Sequence, residues 1–373
     1  YMNLNIAVLA GDGIGPEVTA QAIKVLNAVA SQFNHKFVFK NAVVGAVAID
    51  KTGNPLPEAT LGICKNNDAI LFGAIGDPKY DNDPSAKVRP EQGLLKLRKE
   101  LGLFANIRPV KAYETLIDQS PLKRNIIENT NITIYRELTG GIYFGKKETS
   151  EDGNIASDLC EYSRFEIERI AHLAFKAAQN RRKKLTLVDK ANVLESSRLW
   201  RKVVTEISHQ YEDVKLDFLF VDNAAMQMIL NPRQFDVILT ENMFGDIISD
   251  EASVIGGSIG LLASASIGEK YAMFEPIHGS YPQAKGKGIA NPIASILSAA
   301  MLLEHFGLYD EAIVINKAVE DSLKYEIITE DLNKSDNKIS TDNVGDFITD
   351  YIYNRLDSEI NYANINLGQS TII

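Results

Sequence analysis

Apolar residues enter this chain in short continuous runs, separated by longer stretches in which they recur at helical spacing. Asn5-Ile-Ala-Val-Leu-Ala10, Ala69 to Phe72, Leu185 to Asp189, Leu216 to Val221 and Phe235 to Thr240 read as buried strands, with a further strand over Lys36 to Val44. Pro57 to Asn66, the segment bearing Leu94, Leu97 and Leu101, Pro292 to Phe306 and Glu311 to Lys324 read as helices. Thr341-Asp-Asn-Val-Gly345 is expected to cap a last helix running to about Arg355. Strand and helix alternate, which predicts an α/β fold: a mainly parallel sheet with helices on both faces.

Length sharpens this picture. At 373 residues the chain exceeds what one core usually organises, so two domains are expected. With 45% hydrophobic and 24% charged residues it has the composition of a soluble globular protein. A net charge of −10 argues against a nucleic-acid partner. The densest basic run, Arg181-Arg-Lys-Lys184, reads as a solvated helix C-terminus. Cys64 and Cys160 lie far apart without C-x-x-C spacing, which excludes a disulfide framework or zinc cluster and suits a reducing cytoplasm. No apolar run approaches membrane-spanning length, and the N-terminus enters a strand with no signal-peptide pattern, so no membrane association is expected.

Candidate chemistry gathers at the ends of predicted strands. After Phe235 to Thr240 comes Glu241-Asn-Met-Phe-Gly-Asp-Ile-Ile-Ser-Asp-Glu-Ala-Ser253, in which Asp246 and Asp250 are four residues apart and share a helix face. Two carboxylates about 4 Å apart repel by roughly 4 kcal/mol at an effective dielectric near 20, so such a face commonly holds a cation. An isolated D-x-x-x-D is more often a solvated helix end, but Ile247, Ile248, Ala252, Val254 and Ile255 place this pair at the margin of a core. Asp222 follows another strand-like run. Near the start, Gly11-Asp-Gly-Ile-Gly-Pro-Glu17 turns a strand into a helix, yet its G-x-G-x-G spacing is not the dinucleotide fingerprint, and the next strand ends in no acidic residue. The fold is therefore expected not to be Rossmann; the loop reads mainly as a tight turn. Arg98, Arg108 and Arg136 are each, taken singly, more often surface ion pairs than ligand clamps, and Tyr143 and Lys190 follow a turn and a strand. Gly286-Lys-Gly-Ile-Ala-Asn-Pro292 supplies glycine-rich backbone of the kind that approaches phosphates.

Taken together, Val221-Asp-Asn-Ala-Ala-Met226 and Glu241 to Asp250 resemble the β-decarboxylating dehydrogenases that act on 2-hydroxy acids with a malate core, and the resemblance runs from about residue 4 to about 355. It implies two α/β domains with the chain crossing twice. Residues 1–104 and 257–373 would bind the dinucleotide, residues 105–256 would carry the metal, substrate and dimer surfaces, and the active site would lie in the cleft between them. Asp222, Asp246 and Asp250 would hold one Mg²⁺ or Mn²⁺, whose preference for oxygen ligands fits. Arg98, Arg108 and Arg136 would grip the two carboxylates of the substrate. Tyr143 would be the acid and Lys190 the base, with Asp222 beside it; Lys190 and Asp222 would come from the partner subunit of a homodimer. NAD would be bound around Gly76, Glu91, Glu275, His278, Gly279, Ser280, Gln283 and Asn291.

Two stretches narrow the expectation. Glu91-Gln-Gly-Leu-Leu95 makes an apolar pocket wall of Leu94 and Leu95, to which Val193 would add from the other subunit. In this family such a wall goes with the branched alkyl group of 3-isopropylmalate rather than a third carboxylate. A tartrate or D-malate enzyme, or a non-catalytic subunit of the same fold, is the alternative. Gly279-Ser-Tyr-Pro-Gln-Ala-Lys-Gly-Lys287 has Gln283 where relatives that use NAD commonly have a ribose-binding aspartate, and Lys285 where alanine is common. Both changes are expected to erode the preference for NAD over NADP without reversing it.

Overall fold

The computed structural model describes residues 1–83, 85–332 and 338–354. They form two compact units, divided after Leu94 and after Met273. The strands are β1 (Asn3–Gly11), β2 (Lys36–Asn41), β3 (Ala69–Ala74), β4 (Ala105–Lys111), β5 (Asn131–Glu137), β6 (Lys147–Thr149), β7 (Ala156–Asp158), β8 (Lys184–Asp189), β9 (Lys215–Phe220), β10 (Val237–Thr240), β11 (Ala263–Ile267) and β12 (Ala272–Pro276).

In the first unit β1 pairs in parallel with β2 on one side and β3 on the other, and every residue of β3 is buried. Helix Gly15–Gln32 buries Val18, Ala22, Val25, Leu26 and Val29, which recur at the three- and four-residue spacing of a helix face. Helix Ile293–His305 is apolar nearly all round and correspondingly buried.

In the second unit the strand order is β11-β4-β5-β10-β8-β9. β11 with β4 and β4 with β5 are antiparallel; the other pairings are parallel. Successive side chains of a strand point to opposite faces. Leu187 and Leu239 accordingly join a core with Phe175 and Trp200, whereas their neighbours Val188 and Ile238 join another with Ile134, Phe235 and Ile248. Burial on both faces is why these strands read as continuous apolar runs rather than alternating ones.

The mainly parallel α/β architecture expected from the sequence is present, with several differences of detail. β2 stops at Asn41 rather than Val44, because buried Val44 enters a turn at Gly45 that opens helix Ala46–Thr52. The units divide at 94/95 and 273/274 rather than at 104/105 and 256/257. β11 belongs with the second unit because it pairs with β4. The run Arg181 to Lys184 is not merely a solvated helix end. Arg181 Nε donates to Asp236 Oδ1 at 2.8 Å and the Arg182 backbone N–H to Asp236 Oδ2 at 2.8 Å, and Asp236 is only 1% exposed. The two arginines thus clamp the entry to β10. The helix after Ser163 begins with a reciprocal Ser163–Glu166 capping box. Residues 341–354 are helical, and the expected helix end at Arg355 lies outside the described residues. Among the described residues no helix is long and apolar enough to cross a membrane.

Candidate active site

Arg108 and Arg136 lie on the adjacent antiparallel strands β4 and β5, where Asn106 faces Arg136 and Arg108 faces Ile134. β10 ends at Thr240, and Glu241 caps the helix Asn242–Ser253 by accepting the Phe244 N–H at 2.9 Å. That helix carries Asp246 and Asp250 one turn apart. Arg136 Nη1 donates to Asp246 Oδ1 at 2.7 Å, and Tyr143 Oη donates to Asp246 Oδ2 at 2.8 Å. The Arg136 guanidinium also lies over the Tyr143 ring, 5.9 Å from its centroid. Arg108 donates from Nη1 to Ser249 Oγ at 2.6 Å and to Asp250 Oδ1 at 3.4 Å, and from Nε to Asn106 Oδ1 at 2.7 Å. Thus the acidic face expected to attract a cation is met by guanidinium groups.

Gly245 is what allows this approach. A Cβ there would stand 2.6 Å from Arg136 Cγ and 2.8 Å from Arg136 Cβ, so any side chain would push the arginine off the helix.

Burial, then the positive charge of Arg108, pulls Arg136 down to about 10; Arg98 acts in the same direction. Arg108 and Arg98 therefore add positive charge to the neighbourhood of the buried Arg136 guanidinium. Burial first, and then the hydrogen bond to Asp246, push the Tyr143 hydroxyl up to about 12, so it is held protonated and able to donate. Tyr143 sits in the turn after Gly141, whose φ is +73° and whose Cβ would come 2.5 Å from Tyr162 Oη. Glu137 fixes the approach to that turn, accepting from Thr139 N at 3.0 Å and Gly140 N at 2.8 Å.

Lys190, at the end of β8, donates from Nζ to Asp222 Oδ1 at 2.6 Å, and this bond holds the Asp222 carboxyl below its ordinary value. Asp222 lies in the first turn of helix Val221–Leu230. The chain thus gathers Arg98, Arg108, Arg136, Tyr143, Asp246 and Asp250 in one constellation and pairs Lys190 with Asp222. Among the described residues, no group of three His, Cys, Asp or Glu side chains in the single chain is placed to hold a metal ion. Of the expected pocket wall, Leu94 is half-buried, Leu95 is 44% exposed and Val193 is 61% exposed, whereas Leu97 on the same helix as the two leucines is fully buried core.

In the first unit the Gly11–Gly15 loop is more than a turn. Buried Asp12 accepts the backbone N–H groups of Ala46, Val47 and Gly76 at 2.8, 2.9 and 2.9 Å, and Ile14 N donates to Ser280 O at 2.8 Å. Gly76 has φ +118°, and a Cβ on it would meet Glu91 Oε1 at 3.0 Å and Ser280 Oγ at 3.5 Å, so these three candidate cofactor residues come together. Buried Ala284 and Ala290 anchor the glycine-rich loop against Ile14 and Val18, leaving Gln283, Lys285 and Gly279 exposed. His278 Nδ1 pairs with the Gly279 carbonyl at 3.0 Å, while its Nε2 is buried without a hydrogen-bond partner; burial lowers its affinity for a proton. Glu275 is buried. Asn291 is engaged as a cap: its Oδ1 accepts from Ile293 N at 3.0 Å and its Nδ2 donates to Asp331 at 3.1 Å.

The reading of the sequence passed over Asp12, Asn106, Glu137, Tyr162, Asn242 and Ser249, which orient these groups. Asn242 and Ser249 had a local signal within the acidic motif, and Asp12 lay within the glycine-rich turn without showing its backbone partners.

The chain matches the model of the isocitrate/isopropylmalate dehydrogenase family over residues 5–348. It is 56% identical over 352 residues to a 3-isopropylmalate dehydrogenase of Bacteroides fragilis, an alignment covering 94% of this chain and 99% of the relative. The 3-isopropylmalate dehydrogenase of Bacillus subtilis is 54% identical, with 91% and 94% covered. Among solved structures, an isocitrate dehydrogenase from Methylococcus capsulatus superposes with a TM-score of 0.84 at 35% identity, covering 94% of this chain and 99% of that one. A β-decarboxylating dehydrogenase from Thermococcus kodakarensis in its apo form gives a TM-score of 0.79 at 36% identity, covering 95% and 97%.

Proposed function

Because the chain belongs to the isocitrate/isopropylmalate dehydrogenase family, we propose that it is the 3-isopropylmalate dehydrogenase of leucine biosynthesis, converting 3-isopropylmalate to 4-methyl-2-oxopentanoate and CO₂ with NAD. The observation that carries the chemistry is the contact of Arg136 and Tyr143 with one carboxylate, Asp246, beside Arg108.

Arg98, Arg108 and Arg136 bind the two malate carboxylates, exchanging their present carboxylate partners for those of the substrate. The isopropyl group packs on Leu94 and Leu95 and on Val193 of the partner subunit. Lys190 accepts the proton of the C2 hydroxyl, and Tyr143, held protonated, delivers a proton to the carbon from which CO₂ departs. Asp246 and Asp250, with Asp222 of the partner subunit, form an oxygen-only donor set that fits Mg²⁺ or Mn²⁺. When bound, that cation supplies a Lewis acid at the substrate oxygens, and NAD supplies the hydride acceptor. Gly76, Glu91, Glu275, His278, Gly279, Ser280, Gln283 and Asn291 are proposed to surround the dinucleotide, which the convergence of Gly76, Glu91 and Ser280 supports.

A homodimer with shared sites is part of the proposal. The helices that carry Asp222 and Asp246 expose Met226, Ile229, Leu230 and Ile247, an apolar face suited to a second copy. A cytoplasmic location fits the two free cysteines.

The test is a panel of 3-isopropylmalate, isocitrate, D-malate and tartrate with NAD and Mn²⁺, before and after EDTA. Strong preference for 3-isopropylmalate, abolished by chelation and restored by Mn²⁺, is expected. Comparable turnover of isocitrate refutes the substrate, and activity unchanged after thorough chelation refutes the metal.

A further inference from the structure

Asn242 is 1% exposed and engages both ends of its amide. Its Oδ1 accepts from Arg136 Nε at 3.1 Å and Arg136 Nη2 at 2.9 Å, and its Nδ2 donates to the carbonyl of Gly140 at 3.1 Å. Its backbone N–H donates to Tyr162 Oη at 3.0 Å. Arg136 has five N–H donors. Two go to Asn242 and one to Asp246, which leaves one on each terminal nitrogen for a ligand. Gly140 opens the turn that ends in Tyr143, and that turn is braced on its other side by the Tyr162 ring.

We propose that Asn242 is a positioning residue: its one amide ties the carboxylate-binding Arg136 to the turn carrying Tyr143, and so fixes the distance between substrate anchor and proton donor. The inference rests on the roles proposed above for Arg136 and Tyr143. The chemistry explains the residue type. An amide accepts from the guanidinium through its oxygen and donates to the carbonyl through its nitrogen, so one planar group spans both partners. An aspartate would set a carboxylate against the Gly140 carbonyl and add a second anion beside Arg136, and alanine would release both partners.

The test uses the full chain with 3-isopropylmalate, NAD and Mn²⁺, and compares Asn242→Ala with wild type, alone and combined with Arg136→Ala or Tyr143→Phe. A displacement of about 1 Å in a reacting group costs roughly 100-fold in kcat/KM. The expected loss for Asn242→Ala is of that order, divided between a raised KM for 3-isopropylmalate and a lowered kcat, with the KM for NAD little changed. The KM effect should vanish in the Arg136→Ala background and the kcat effect in the Tyr143→Phe background. Unchanged KM for 3-isopropylmalate, or losses that simply add in both backgrounds, would overturn the inference. If Asn242→Ala does not fold, Asn242→Ser is read in the same way. Loss of the fold in both variants assigns the residue a structural role and likewise overturns the proposal. Wild type is assayed first: an inactive wild type sinks the reaction assigned to the chain, whereas an active wild type with an unaffected variant sinks only the role of Asn242.

Discussion

Replacing Tyr143 with phenylalanine removes one oxygen and leaves the ring over Arg136. With the hydroxyl pushed up to about 12 by burial and by Asp246, the ionised fraction at pH 8 is on the order of 10⁻⁴, so the wild-type side chain is a proton donor across the usual assay range. A positioned general acid contributes roughly 10²- to 10⁴-fold, or about 2.7 to 5.5 kcal/mol of barrier. The fold loses only the 2.8 Å bond to a half-exposed carboxylate, from a tyrosine itself 40% exposed, which is worth about 1 kcal/mol or less. Steady-state assays of NADH and 2-oxo acid formation should therefore show kcat reduced by about 10²- to 10⁴-fold, with a melting temperature within about 4 °C of wild type. Two results would refute the reasoning. One is a kcat within about threefold of wild type. The other is a wild-type alkaline limb centred below about pH 10 that disappears in the variant, since the raised hydroxyl would then be ionising too early.

Burial raises the proton affinity of Glu241 above its ordinary carboxylic value. A raised folded-state value gives stability that is complete below the unfolded value and is lost as pH rises through the folded one. Glu241→Gln should thus gain stability relative to wild type as pH rises above the ordinary carboxylic range, read as a melting-temperature difference that grows with pH until the raised carboxyl has ionised; a constant or shrinking difference contradicts it. Mixing inactive Lys190→Ala with inactive Asp246→Ala protein should restore part of the activity through hybrid dimers with one intact site, and no recovery after verified subunit exchange counts against sharing. Gln283→Asp should raise the ratio of specificity constants for NAD over NADP, because a carboxylate repels a 2′-phosphate and an amide does not; an unchanged ratio removes position 283 from the ribose site.

The parts of the molecule that were legible in the sequence are those whose signal is local. Continuous apolar runs gave β1, β3, β8 and β10 because both faces of these strands are covered. The spacing of Asp246 and Asp250 likewise identified the helix face that meets Arg108 and Arg136. What stayed hidden depends on long-range pairing. Nothing near Arg181 announces that Asp236, 55 residues on, waits for it, so the basic run looked solvated. The antiparallel join of β11 to β4 spans about 160 residues, and it moved the division between the units. Asp12 looked like part of a glycine turn because its three partners are backbone groups with no side-chain signature. The hairpin of β6 and β7 is short and wholly exposed, leaving no hydrophobic period to read.

Gly245 carries a consequence for anyone seeking to make this protein more robust. In the middle of a helix, glycine costs about 1 kcal/mol relative to alanine, so a search for stabilising substitutions by helix propensity would choose this position early. The added methyl group would take the space through which Arg136 passes. The helix therefore stays weaker than its sequence could make it, and the deficit is located where a cation-bearing side chain must cross. Helix propensity and the passage of Arg136 compete here at a single carbon atom. A thermally hardened variant of this chain would have to find its gain elsewhere, for instance at exposed helix positions remote from the acidic face.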